Sequence, residues 1–251
     1  MVANSKKVAV PNTMCKAGIA ILKSRPELTV VEFDNFVSSA DFQRFLAAQD
    51  GVHAAILGAT PWSKPECDAA RTLQVVARIG VGFDAVDVPE LTRRKIPLMV
   101  VGTANSPSVA EQAMFMMLML AKRGAELDQV VRGNRWKERM AYLPFDLIGK
   151  TCLVVGFGRI GTRTAKRAAA MEMNVLIFDP YVKPETIKAA GYEPVKDLDA
   201  ALPRADFVSI HCPKNKETTG MFDARRLARM KPSAYLVNTA RGGLIDEAAL
   251  H

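Results

Sequence analysis

Three glycines, Gly156, Gly158 and Gly161, stand at the spacing of a phosphate-binding turn, and an acid, Asp179, follows 23 residues after the first of them. Each residue type suits one task. Gly156 allows a tight turn, Gly158 lets a pyrophosphate approach the backbone, and Gly161 lets a helix pack closely on a sheet. The start of that helix adds N–H donors and the positive end of a dipole. A carboxylate at the tip of the next strand accepts hydrogen bonds from an adenosine ribose and repels a 2′-phosphate. The spacing therefore predicts a dinucleotide site that prefers NAD to NADP. The alternative is a βαβ unit whose glycines serve packing alone. A second constellation runs from Asn238 through Thr239, Ala240 and Arg241 to Gly243. A guanidinium in such a loop can grip a carboxylate with two parallel bonds and polarise the neighbouring carbonyl. From position alone, Arg241 is equally a loop arginine paired with a surface acid.

These residues need strands and helices to place them. Apolar runs at Cys152–Val155 and Val175–Phe178 bracket the glycine turn and end on Asp179. Further strands are expected at residues 207–210 and 234–237, and an earlier series at 7–10, 29–33, 54–57, 75–78 and 98–101. Helical stretches lie between them, for example 41–48 and 88–94. Such alternation predicts an α/β protein with helices on both faces of parallel sheets. Two series separated by a long helix argue for two doubly wound domains of Rossmann-like or flavodoxin-like type, separated by a cleft: residues 1–103 and 104–251, with a crossover near 102–106. The long helix is expected over 108–122, opened by a capping box of Ser108 and Glu111. Its middle, from Met114 to Leu120, is apolar all round and calls for burial on more than one face. A second helical stretch carries residues 124–136.

Composition narrows the classes. The chain has 251 residues, 49% hydrophobic and 24% charged, with a net charge of +8, which describes an ordinary globular protein. The basic residues are scattered and lack interleaved aromatics, so a nucleic-acid partner is not expected. The apolar run 113–121 is too short to span a bilayer. The start of the chain passes directly into a strand rather than a signal peptide. Four cysteines without a C-x-x-C pair and three histidines exclude a zinc cluster. Reduced, mostly buried cysteines in a cytoplasmic protein fit this usage. The chain reaches His251 within a helical pattern, so the natural protein is expected to continue.

Several signatures in order carry a resemblance: Arg78-Ile79-Gly80-Val81-Gly82-Phe83-Asp84 with Asp87; Asn105 to Glu111; the glycine turn; His211-Cys212-Pro213 with Thr218 to Gly220; and Asn238 to Gly243. Together they resemble the D-2-hydroxyacid dehydrogenases, the group that contains phosphoglycerate dehydrogenase, formate dehydrogenase and glyoxylate/hydroxypyruvate reductase. The resemblance implies an NAD-dependent enzyme acting on a small anionic 2-hydroxy or 2-keto acid, assembled as a homodimer. It implies that Arg241 is the catalytic, substrate-binding arginine. Val81 and Gly82 would hold the substrate carboxylate through their amides, with Val81 also beside the nicotinamide. Arg159 and Ile160 would contact the pyrophosphate, Cys212, Pro213 and Thr218 would line the cofactor loop, and Thr239 and Ala240 would neighbour the nicotinamide. The family's first domain, joined by its chain end, binds substrate. The proton-transferring histidine and its partner acid are expected downstream of residue 251. His211 is expected only to pack beside the adenosine, and His53 to lie on the surface. Arg78 matches an arginine that phosphoglycerate dehydrogenases use on the substrate phosphate, but residues 57–60 lack the second cation, so phosphoglycerate is not favoured. Arg139 is a candidate anion contact and equally a surface arginine. The same fold also serves NAD(H)-sensing corepressors, which is the alternative to an enzyme.

Overall fold

The computed structural model describes residues 5–251. Residues 1–4, where the signal-peptide reading begins, lie outside the described residues. The chain divides into two compact units, Met1–Asn105 and Ser106–His251.

The first unit runs β1 (Lys6–Pro11), α1 (Lys16–Lys23), β2 (Leu28–Phe33), α2 (Ser39–Ala48), β3 (Ala54–Leu57), α3 (Lys64–Ala69), β4 (Val75–Arg78), α4 (Val88–Arg93) and β5 (Leu98–Val100). All neighbouring strands pair in parallel in the order β2-β1-β3-β4-β5, the flavodoxin-like arrangement. Its core is built around Phe33, Phe42, Leu57 and Trp62, with the Phe42 and Trp62 rings 5.9 Å apart and edge to face.

The second unit runs α5 (Ser106–Ala121), α6 (Gly124–Arg132), β6 (Thr151–Val155), α7 (Gly161–Ala170), β7 (Asn174–Phe178), α8 (Pro184–Ala189), β8 (Glu193–Pro194), α9 (Leu198–Ala201), β9 (Phe207–Ile210), α10 (Ala224–Leu227), β10 (Tyr235–Asn238) and α11 (Glu247–Leu250). A 3₁₀ turn spans Trp136–Ala141. The parallel order β10-β9-β6-β7-β8 is the Rossmann arrangement, with β6 as the first strand of the series. Alternation along β6 shows the double winding. Cys152 and Val154 enter a core with Ala113, Met117, Ala165 and Ala168, whereas Leu153 and Val155 enter another with Leu198, Leu202, Phe222 and Leu244.

Helix α5 departs from expectation in two ways. It starts at Ser106, two residues early, and Glu111 pairs with Arg167 of α7 at 2.8 Å rather than closing a capping box. The helix packs on α7, β10 and α6 through Ala110, Ala113, Met114, Met117 and Ala121, but Phe115 remains 53% and Leu120 38% exposed. Burial all round is therefore not met within this unit.

Helix α7 meets the turn after β6 with no room for a side chain at Gly161. A Cβ on Gly161 would stand 1.8 Å from the Gly156 carbonyl oxygen, a separation that no rotamer change can relieve. Gly161→Ala is expected to cost about 2–4 kcal/mol of stability and to weaken nucleotide binding with it. Denaturant unfolding checks this, and an unchanged midpoint would refute the packing argument.

Candidate functional site

In the second sheet the strand order reverses between β6 and β9, the topological switch point where ligands of open α/β sheets bind beyond the carboxyl ends. The glycine turn lies there. Gly156 has φ +99°, and a Cβ on it would stand 2.8 Å from the Cys212 nitrogen, so β6 must leave the sheet through a glycine. Nothing lies within 4 Å of where a Gly158 Cβ would be, so the outer side of the turn is open. Helix α7 begins at Gly161, which brings its positive end to this space. Arg159 is exposed and Ile160 half-buried at the same helix start.

Asp179, at the tip of β7, fixes the turn as well as facing it. Its Oδ2 accepts from the Phe157 amide at 2.7 Å, and its Oδ1 accepts from the Tyr181 amide at 2.9 Å. Two backbone donors thus orient the carboxylate and leave further lone pairs for a ribose diol. The bond from Phe157 also holds the acid of β7 in register with the turn that leaves β6, the neighbouring strand.

The loop after β9 carries Cys212 half-buried, Pro213 exposed and Thr218 buried. Thr218 Oγ1 donates to the Pro213 carbonyl at 2.6 Å and accepts from the Asn215 amide at 2.9 Å. The loop after β10 is tied to it, since the Gly220 amide donates to the Gly243 carbonyl at 2.8 Å. Within that second loop, Asn238 brackets the turn: its Oδ1 accepts from the Ala240 amide at 3.0 Å and its Nδ2 donates to the Arg241 carbonyl at 2.8 Å. Arg241 is half-buried, with Nη1 donating to the Ala240 carbonyl at 2.7 Å. The Thr239 hydroxyl is buried with no partner, a polar atom suited to a ligand carboxamide. An open turn, a helix start, an oriented acid and an unpartnered hydroxyl all fit a dinucleotide. Gly156, Gly158, Arg159, Ile160, Gly161, Asp179, Cys212, Pro213, Thr218, Thr239, Ala240 and Arg241 all lie at the carboxyl edge of this one sheet.

Arg78, Val81 and Gly82 belong to the first unit, at the carboxyl end of β4. The loop that follows is pinned at both ends. The Ile79 amide donates to the Leu57 carbonyl at 2.9 Å, and the Asp87 amide donates to the Trp62 carbonyl at 2.8 Å. Val81 and Gly82 are half-buried between these anchors, and Arg78 Nη1 lies 3.4 Å from both the Leu57 and Ile79 carbonyls. Arg139 stacks on the Trp136 ring at 4.6 Å, so its guanidinium face is engaged there. His53 is not the surface residue expected. It is half-buried beyond the amino end of β3, the edge opposite the loop of Val81 and Gly82, and its Nδ1 accepts from the Lys7 amide at 3.2 Å.

Asn215 and Ser209 stand outside the residues singled out in the sequence, whereas Asn238 opens one of its motifs. The two asparagines were visible as turn formers, since this side chain readily caps nearby amides. Ser209 is fully buried in β9 and lies 2.9 Å from His211 Nε2, two residues on and so on the same face of the extended chain.

Three comparisons bear on this geometry. The fold and the turn define a dinucleotide-binding α/β protein. Residues 114–251 match the family model of the D-isomer specific 2-hydroxyacid dehydrogenase, NAD binding domain. The D-3-phosphoglycerate dehydrogenase of Mycobacterium leprae is 38% identical over 244 residues, covering 97% of this chain and 45% of that protein. The D-3-phosphoglycerate dehydrogenase of Archaeoglobus fulgidus is 39% identical over 183 residues, covering 73% of this chain and 34% of that protein. A crystal structure of a Thermus thermophilus protein superposes with a TM-score of 0.87 at 31% identity, covering 97% of this chain and 76% of that one. The apo D-lactate dehydrogenase of Escherichia coli gives 0.81 at 26% identity, with 97% and 77% covered. The chain belongs to the D-isomer-specific 2-hydroxyacid dehydrogenase family and carries its NAD-binding domain. It spans less than half the length of the two phosphoglycerate dehydrogenases.

His211 yields a pH prediction. Burial pushes its imidazole down from 6.5 to about 4, and its Nδ1 is buried without a partner. The unfolded chain therefore binds one more proton than the folded chain between these values, and stability falls as pH drops from 6.5 towards 4. His211→Gln keeps a donor for Ser209 and removes this proton. The variant is expected to lose less stability than the wild type over that window in denaturant titrations. Identical pH slopes would contradict the burial argument.

Proposed function

We propose that this protein is an NAD-dependent oxidoreductase that interconverts a small 2-hydroxy acid and its 2-keto acid. The observation that carries the reading is the oriented carboxylate of Asp179 on a glycine turn at the Rossmann switch point, in a chain of this family. In this reading residues 104–251 bind the nucleotide and residues 1–103 bind substrate. When bound, the dinucleotide would supply the hydride that reduces a 2-keto carbon, and a proton must reach the resulting alkoxide oxygen to complete the hydroxyl. Asp179 receives the adenosine ribose, the α7 start faces the pyrophosphate with Arg159 and Ile160, and Thr239 and Ala240 border the nicotinamide. In the second unit Arg241 grips the substrate carboxylate and polarises the adjacent carbonyl. In the first unit, taken by itself, the amides of Val81 and Gly82 offer anion-binding donors and Arg78 a cation. His211 is not the proton donor, because burial keeps it neutral and Nε2 is engaged by Ser209. A reducing, cytoplasmic setting suits four cysteines that are all free. No helix among the described residues is long and apolar enough to cross a membrane.

The test is NADH oxidation by the protein against a panel of hydroxypyruvate, glyoxylate, phosphohydroxypyruvate and pyruvate. Turnover of at least one keto acid is expected. Arg241→Gln should lower kcat/KM by about 10²–10³-fold while NADH still binds. Tight NADH binding with no turnover of any acid would favour a sensor instead.

A homodimer is part of the same proposal. Phe115 and Leu120 of α5 leave apolar surface exposed, as do Val131, Trp136, Met140 and Leu143 nearby in sequence. Light scattering on the purified protein is expected to return twice the chain mass, and a clean monomer mass at micromolar concentration would refute it.

A further inference from the structure

Two side chains outside the glycine turn meet across it. Tyr181 follows β7 and Glu217 lies in the loop after β9, while β6 stands between these two strands in the sheet. A contact between the segments leaving β7 and β9 therefore passes over the carboxyl end of β6, where Gly156 to Gly158 turn. The Tyr181 hydroxyl makes that contact by donating to a Glu217 carboxylate oxygen.

Both residues are exposed, Tyr181 at 76%. Water competes for an exposed bond of this kind, so it adds little to stability. Local backbone places the pair instead. The Tyr181 amide is held by Asp179 Oδ1 at 2.9 Å, and the Glu217 amide by Asn215 Oδ1 at 2.9 Å. Asp179 is thus linked to Tyr181, and Tyr181 to Glu217, in one chain of contacts around the mouth of the turn. The hydrogen bond to Glu217 and the charge of that carboxylate push the Tyr181 hydroxyl above its ordinary pKa, with Asp179 adding the smallest share. Lys214 of the same loop is turned towards Gly243, where its Nζ would lie 2.8 Å from an added Cβ.

We propose that Glu217, held by Tyr181, is a second selector against 2′-phosphorylated dinucleotides and that the pair straps the adenosine-ribose end of the site. The proposal rests on the reading of Asp179 as the ribose-binding acid. A ribose diol carries no charge and tolerates a nearby carboxylate. A 2′-phosphate would meet Asp179 from the β7 side and Glu217 from the β9 side, and like charges repel, most of all at low salt. Glu217→Gln removes the charge and keeps an acceptor for the Tyr181 hydroxyl. Tyr181→Phe keeps the charge and releases its tether.

Calorimetric titration of the protein with 5′-AMP and with 2′,5′-ADP, at low and high salt, tests the idea. Glu217→Gln is expected to tighten 2′,5′-ADP about 5–10-fold at low salt, with AMP within about twofold of wild type and the gain shrinking at high salt. Tyr181→Phe should shift the ratio the same way by less, and the double variant should add nothing to Glu217→Gln. Asp179→Asn serves as the control. If Asp179→Asn shifts the ratio and Glu217→Gln does not, the strap is overturned and the ribose reading stands. If neither shifts it, or AMP does not compete with NADH, the ribose reading falls and the strap falls with it.

Discussion

The second unit depends on a steric constraint at two positions where no side chain fits. Gly156 passes against the backbone of His211 and Cys212, and Gly161 passes against the Gly156 carbonyl. Together these approaches press the turn between β6 and β9 and set the start of α7 on top of it. Asp179 then fastens the far side of the turn through the Phe157 amide. The site follows from this packing. A helix can present its positive end only if it starts this close to the sheet, and the backbone can face a phosphate only where no Cβ intervenes. Ligand geometry and fold stability are therefore read from the same contacts.

The first unit uses the same parallel construction differently. Its order reverses between β1 and β3, and the carboxyl edge there is filled by its own side chain. Asn35 is buried, its Oδ1 accepts from the Ala59 amide at 2.9 Å, and a Cβ on Gly58 would stand 2.0 Å from it. The Thr60 hydroxyl closes on the Asn35 carbonyl at 3.0 Å. The carboxyl edge at this switch point is taken up by Asn35, Ala59 and Thr60. The two parallel sheets thus differ at their switch points, one opened by glycines and the other closed by an amide.

Much of this was legible in the residues. Strands buried on both faces read as apolar runs, so β3, β4 and β9 appear at the expected residues and the others within a residue or two. The turn and Asp179 were legible because they rest on backbone sterics and on spacing within one βαβ unit. β8 was not, since two residues ending in proline on an edge strand carry no periodic signal. Helices α1 and α3 fall between strands, where helical stretches were expected. The early start of α5 and the turn of Glu111 towards Arg167 depend on packing against α7, 56 residues away. Tyr181 meets Glu217 across 36 residues of sequence, a contact that only the folded chain creates.

The central claim is that the switch point of the second sheet, and not that of the first, receives the dinucleotide. Amide hydrogen exchange with and without NAD⁺ measures this directly. The account predicts added protection concentrated at residues 157–161, 179–181 and 211–218, with residues 35, 58–60 and the strand ends around them unchanged. Protection centred on the first switch point, or none at the glycine turn despite saturating NAD⁺, would contradict it.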